Sequence, residues 1–233
     1  MAADSRPLHI VLVHGAFVDG SSWRAVYDLL THEGYPVSVV QNTNLSLQGD
    51  AAETRRIIAA QDGPVVLVGH SYGGAVITEA GTHAAVAALV YIAAFAPDSG
   101  ESVRTLNGDP TAPGSPLVSA PGGFLLQNRE TFHTAFGADL PAADAAFLAD
   151  AQVPFATEAM NQPVTNPAWR SRPSWFLVAT SDRMIAPSAQ VAMARRAGSV
   201  SVNVDASHAV YMSQPAQTAA FIRRACNEVA HGR

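Results

Sequence analysis

The chain has 233 residues, 48% of them hydrophobic and 14% charged, which describes a compact domain with a sizeable core and excludes extended disorder. Fourteen basic side chains against 19 acidic ones leave a net charge of -5, and with no long basic run this excludes a nucleic-acid footprint and favours small neutral or apolar ligands. The single cysteine, Cys226, excludes an intrachain disulfide and suits a reducing compartment, while the absence of any lysine excludes Schiff-base chemistry and a P-loop.

Residues 1–7 hold Asp4 and only one arginine before a short apolar run, a pattern that reads as the approach to a core strand and not as a signal peptide. Strand-like runs at residues 8–13, 37–41, 64–69 and 86–94 alternate with helical patterns at 22–33, 50–61 and 73–83. Gly34 follows the first helix where a left-handed cap is expected. Residues 97–172 interrupt the alternation. Pro110, Pro113, Pro116 and Pro121, interleaved with Gly108, Gly114, Gly122 and Gly123, make 107–123 an irregular loop. Beyond it, Phe132 with Phe136 and Ala143 with Phe147 stand one helical turn apart and predict short amphipathic helices. The alternation resumes with strands at 174–180 and 199–204 and helices at 188–197 and 215–229, the last two opened by Pro187 and Pro215. Such order predicts an α/β domain with a six-stranded, mostly parallel sheet and helices on both faces. No apolar run approaches the roughly 18 residues of a membrane span, so a cytoplasmic protein without membrane contact is expected.

Gly69-His70-Ser71-Tyr72-Gly73 follows the apolar run Val65 to Val68 directly and precedes Gly74-Ala75-Val76-Ile77. A serine is thereby set where a strand turns sharply into a helix, in a strained conformation that lifts its hydroxyl above the sheet edge. A serine hydroxyl is a weak nucleophile without a base, and the base needs an orienting acid. After such an elbow the acid and then the histidine follow at the ends of later strands. Asp182 follows the run Trp175 to Ala179, and His208 follows the run Val200 to Val204. The rival acids are Asp98, after the strand that succeeds the elbow, and Asp205, too close to His208 to come from a separate strand end. His14 and His70 border the site as hydrogen-bonding supports, and Cys226 reads as a thiol packed on the last helix.

Together with Val11-Leu12-Val13-His14-Gly15-Ala16-Phe17 and Ala93-Ala94-Phe95-Ala96-Pro97-Asp98-Ser99, these segments resemble the α/β-hydrolases. Within that superfamily the likeness is to the plant methyl esterases and hydroxynitrile lyases with their small bacterial relatives. It covers residues 8–100 and 174–225 and fades between them. The resemblance implies a core of residues 1–96 and 173–233 in one structural domain. A small helical cap, 97–172, is then inserted after the strand at 86–94, the sixth in the family's count. It further implies that the backbone N–H groups of Ala16 and Tyr72 form an oxyanion hole. Lyases of this branch carry lysine, threonine and cysteine where this chain has Ala209, Gly15 and Tyr72, so their cyanide-releasing route is excluded.

The expected function is a serine esterase acting on small carboxylic esters through Ser71, His208 and Asp182. Phe17 and Met184, beside the inferred site residues, line the pocket. Thioesterase, lactonase, acyltransferase or perhydrolase chemistry on the same residues stays open, as does a ligand-binding protein without turnover. No cofactor and no metal are expected, since neither a His/Cys cluster nor a G-x-G-x-x-G after the first strand is present. The partner is a small-molecule ester, and the protein is a monomer or homodimer.

Overall fold

The computed structural model describes residues 7–110 and 112–231, so the reading of residues 1–6 as free of a signal peptide and the place of Thr111 in the loop lie outside the described residues. In chain order come β1 (His9–Val13), a 3-10 turn (Gly20–Trp23), α1 (Arg24–His32), β2 (Val37–Val40), α2 (Leu47–Ala59), β3 (Val65–His70), α3 (Tyr72–Ala80) and β4 (Val86–Ile92). The interrupting region holds α4 (Val103–Asn107), β5 (Leu117–Ala120), β6 (Phe124–Gln127), α5 (Phe132–Phe136), α6 (Ala142–Asp150), β7 (Phe155–Ala156) and α7 (Thr157–Asn161). The chain closes with β8 (Ser174–Ala179), α8 (Pro187–Arg196), β9 (Val200–Val204), α9 (Val210–Ser213) and α10 (Pro215–Ala230).

The main sheet runs β2-β1-β3-β4-β8-β9, and every neighbouring pair in it is parallel. The α/β reading with six strands therefore holds. Period-2 alternation divides the core between its two faces. Val11, Val13, Leu67, Tyr91 and Phe176 pack with Ile58, Val76 and Met193 of α2, α3 and α8. Ile10, Leu12, Val66, Val90 and Leu177 pack with Leu30 and Ile222 of α1 and α10. All six residues of β3 are buried, as expected of a strand covered on both faces. On the edge strand β9 only Val204 is buried. Cys226 lies in the second of these cores, where burial pushes its thiol up to about 12.

Two local readings change. Helix α2 begins at Leu47, earlier than the expected 50, because the Ser46 side chain accepts the Gly49 N–H and caps it there. Residues 117–120 of the expected irregular loop are a strand. There β5 pairs antiparallel with β6, which pairs with β7. Gly122 and Gly123, both near φ +80°, close the β5–β6 hairpin, so the glycine and proline density marked a turn between strands.

The order of strands reverses at β1: the chain first adds β2 on one side and then β3 on the other. A crevice opens at the carboxyl ends of strands where such a reversal occurs. The loop after β1 and the β3–α3 turn both emerge there.

Replacing Leu67, fully buried at the sheet centre, by alanine should lower the unfolding free energy by about 2–5 kcal/mol. Phe147→Ala, at a side chain 70% exposed, should change it by no more than about 0.5 kcal/mol. Urea unfolding of both variants, followed by far-UV circular dichroism, measures the contrast.

Candidate active site

Ser71 joins β3 to α3 with φ 53° and ψ -122°, a conformation disfavoured for any residue bearing a Cβ. Tight packing on both sides holds it there. A Cβ on Gly69 would lie 2.5 Å from the Gly73 carbonyl oxygen, and one on Gly73 would lie 2.5 Å from the Val13 carbonyl oxygen. The Ser71 carbonyl accepts the Gly74 and Phe95 N–H groups at 2.9 and 3.1 Å, tying the turn to its own helix and to the segment after β4.

Asp182 and His208 leave neighbouring strands, β8 and β9, and meet. His208 Nδ1 lies 2.7 Å from Asp182 Oδ2, with the side chains 1% and 0% exposed. Met184 and Ile185 N–H groups donate to Asp182 Oδ1 at 2.7 and 2.9 Å, and the Gln190 amide donates to Oδ2 at 2.8 Å. With Nδ1 committed to the carboxylate, Nε2 is the ring nitrogen left to exchange a proton. Asp98 instead forms an exposed pair with Arg170, and Asp205 accepts the Ser181 hydroxyl. Neither approaches the imidazole by a hydrogen bond.

The Ser71 hydroxyl makes no hydrogen bond among the described residues, so the structure joins Asp182 to His208 and leaves Ser71 Oγ unpaired in the adjacent wall. Catalytic hydrogen bonds are commonly long before substrate arrives. The link between the two sides runs through His70, the residue before the serine. Its Nε2–H donates to the His208 carbonyl at 3.0 Å, and the two rings stand 4.7 Å apart between centroids.

Ser71 shares a cavity of about 30 Å³ with Ala16, Phe17, Tyr72, Phe155 and Met184. Phe17 and Met184, expected beside the site residues, both line this cavity. Space of this size holds a water or two. A cavity of about 470 Å³ adjoins it, reaching Asp182 and Arg183 and sharing Asn107, Leu117 and Met184 with the smaller one. Among the described residues neither the Ala16 nor the Tyr72 N–H has an acceptor, and at the first position of α3 the latter has none to find within its helix.

Two further imidazoles beside the site, His70 and His14, are held toward the neutral form. Burial pushes His70 well below its usual range, with repulsion from His208 adding to this. Burial also lowers His14, whose Nδ1–H donates to the Gly15 carbonyl at 2.8 Å while Nε2 accepts the Asn42 N–H at 2.9 Å. The Tyr72 hydroxyl donates to the buried Asp50 at 2.8 Å, and burial and that carboxylate together raise it well above the ordinary phenol range. Among the described residues no group of three or more His, Cys, Asp or Glu is arranged to hold a metal, and no helix is long and apolar enough to cross a membrane.

Sequence reasoning missed Gln190 and Asp50. Gln190 is buried with Met193 and Ala194 on the inward stripe of α8, and a polar residue at a core position of the helical period was the available signal. Asp50 sits on the buried face of α2 and accepts Thr43 and Asn44 as well as Tyr72.

The family model of the alpha/beta hydrolase family matches residues 10–221. A pyrethroid hydrolase of Sphingobium wenxiniae is 30% identical over 244 aligned residues, covering 91% of this chain and 85% of that one. A carbendazim hydrolyzing esterase of Nocardioides sp. is 34% identical over 112 residues, which is 42% of this chain and under half, 46%, of the relative. The crystal structure of polyneuridine aldehyde esterase superposes with a TM-score of 0.81 at 16% identity, over 95% of this chain and 100% of that one, and so shares the fold.

Because His70 and His14 fold as neutral groups, the unfolded chain binds more protons than the native one below about pH 6.5. Their contribution to stability is complete above that pH and is lost as pH falls toward their depressed native values. The melting temperature should therefore decline between pH 6.5 and 5. His70→Gln, which keeps a donor for the His208 carbonyl, should show a shallower decline. Equal slopes for the two proteins, by scanning calorimetry, would mean that His70 is not a coupled group.

Proposed function

The chain belongs to the alpha/beta hydrolase family, and from that membership and the site geometry we propose that it is a serine esterase of small carboxylic esters. The observation that carries this reading is the buried His208–Asp182 pair, 2.7 Å between Nδ1 and Oδ2, set beside a serine at a strained strand-to-helix turn. In the proposed cycle Ser71 Oγ attacks the ester carbonyl carbon while His208 Nε2 takes its proton. Asp182 fixes the ring orientation and stabilises the imidazolium that forms. The Ala16 and Tyr72 N–H groups hold the developing oxyanion, a contribution of about 10²–10³ in rate for a single donor. His208 then protonates the departing alcohol. A water deprotonated by the same nitrogen attacks acyl-Ser71, and the proton returned from Nε2 regenerates the hydroxyl as the acid leaves.

Two relatives named for hydrolysis support this reading. Residues 1–96 and 173–233 are proposed as the catalytic core and 97–172 as a cap. The small cavity beside Ser71 then takes the reacting group, while the 470 Å³ space next to it takes the bulk of the substrate. Drug-sized ligands fill spaces of about 300–1,000 Å³.

One observation favours a rival: with its hydroxyl unpaired, Ser71 also suits a pocket that binds without turnover. A fluorophosphonate probe separates the two. Wild-type protein should be labelled at Ser71, and Ser71→Ala should lose the label and about 10³ or more of its turnover of p-nitrophenyl esters. Substrate binding should be largely retained. Turnover in Ser71→Ala close to that of wild type would place the nucleophile elsewhere.

A further inference from the structure

The two residues flanking His208 are both held by one stretch of the inserted region, residues 132–140. On one side the Ser207 N–H donates to Asp139 Oδ2 at 3.0 Å, and the Ser207 hydroxyl donates to Asp139 Oδ1. The same carboxylate accepts the Ser213 hydroxyl at 2.8 Å. On the other side the Ala209 N–H donates to the Phe136 carbonyl at 2.9 Å. The Phe136 ring stands edge-on to the His208 ring with centroids 5.2 Å apart. His133 Nε2–H closes the stretch on itself by donating to the Leu140 carbonyl at 3.0 Å. Phe132, Phe136, Val18 and Ala209 pack together beneath it. Partial burial opposes the charge on Asp139, but the hydrogen bonds from Ser207 and Ser213 outweigh it and hold the carboxyl below its usual range.

The hydrogen bond to Asp182 fixes one edge of the His208 ring and the Phe136 and His70 rings pack against it, so its remaining freedom is to shift with its backbone. The resting site has no Ser71–His208 bond to limit this. Where Nε2 points is then set by residues 207–209, and three of the bonds that fix them come from Asp139 and Phe136. Among the described residues, both hydroxyls that donate to the Asp139 side chain, those of Ser207 and Ser213, lie in or just after the His208 loop, which a merely solvated surface carboxylate has no reason to show.

We propose that Asp139, through Ser207, is a positioning residue that sets His208 Nε2 against the Ser71 hydroxyl. The inference rests on the serine esterase reading and adds to it a residue that touches neither substrate nor the reacting atoms.

The test uses the full chain with Asp139→Asn, Ser207→Ala and Ser207→Thr. Asp150→Ala serves as the control, since it breaks only the exposed cap pair with Arg129. Turnover of p-nitrophenyl acetate and the rate of fluorophosphonate labelling are measured on each. Displacing a catalytic group by about 1 Å costs on the order of 10²-fold, so Asp139→Asn and Ser207→Ala should lower kcat and the labelling rate about 10- to 100-fold. KM should stay within about twofold, because substrate contacts are untouched. Ser207→Thr, which keeps the hydroxyl, should restore most of the rate, and Asp150→Ala should match wild type. If Asp139→Asn does not fold, Ser207→Ala and Ser207→Thr decide the matter alone. Unchanged kcat in Ser207→Ala overturns the clamp, and so does a fall in kcat matched by a rise in KM or left unrescued by Ser207→Thr. Wild-type protein that is neither labelled nor active overturns the esterase reading itself, and the clamp with it.

Discussion

A carboxylate sealed from water is the constraint on which the site depends. Asp182 has no exposed side-chain surface, and a buried charge of this kind is tolerated only when its oxygens are fully hydrogen-bonded. Its own turn satisfies one oxygen through Met184 and Ile185; Gln190 and His208 satisfy the other. Removing any one of these partners leaves a lone pair facing apolar packing. The imidazole is therefore as much a requirement of the acid as the acid is of the imidazole. The sheet order makes the meeting possible, because β8 and β9 are neighbours and deliver Asp182 and His208 from adjacent strand ends. Ser71 arrives from β3, with β4 and β8 between it and β9, and the His70 bond to the His208 carbonyl spans that gap.

Backbone strain collects at the same edge. The four described non-glycine residues with positive φ are Phe17, Asn44, Ser71 and Ala93, and each lies just beyond the carboxyl end of one of the first four strands. Such conformations cost about 1–3 kcal/mol each and persist only where neighbours over-determine them. At Ser71 the over-determination is visible in the packing of Gly69 and Gly73 and in the two bonds to its carbonyl. Tyr72 adds a further anchor, its hydroxyl fixed on Asp50 of α2. A rigid, strained rim above a double-sided core is the arrangement expected where geometry at the strand ends matters more than local stability.

Legibility in the sequence followed the same division. The central strands are buried on both faces, so they appear as unbroken apolar runs, and the elbow carries its own glycine signature. Asp182 was readable because it comes just after such a run, and His208 because it comes just after the alternating edge strand Val200–Val204. The hairpin of β5 and β6 was not, since Pro116, Pro121, Gly122 and Gly123 mask a four-residue strand whose pairing partner decides its state. Gln190 left a trace as a polar residue on the inward stripe of α8, but Asp50 and Asp139 were missed for a related reason. What each does depends on a partner at another place in the chain: Asp139 and Ser207 are 68 residues apart, and no local pattern announces such a contact.

Three imidazoles crowd this edge of the sheet, and only one has an acid to receive its charge. His14 is locked as donor to Gly15 and acceptor from Asn42, and His70 as donor to the His208 carbonyl; burial keeps both neutral. This neutrality bears directly on the proposed cycle. With ring centroids 4.7 Å apart, a charged His70 would repel a charged His208, and the transient imidazolium would form less readily just when Ser71 must lose its proton. A neutral His70 removes that repulsion while its Nε2–H still holds the His208 backbone. In the proposed cycle the supporting histidine thus contributes most by staying out of the proton transfer.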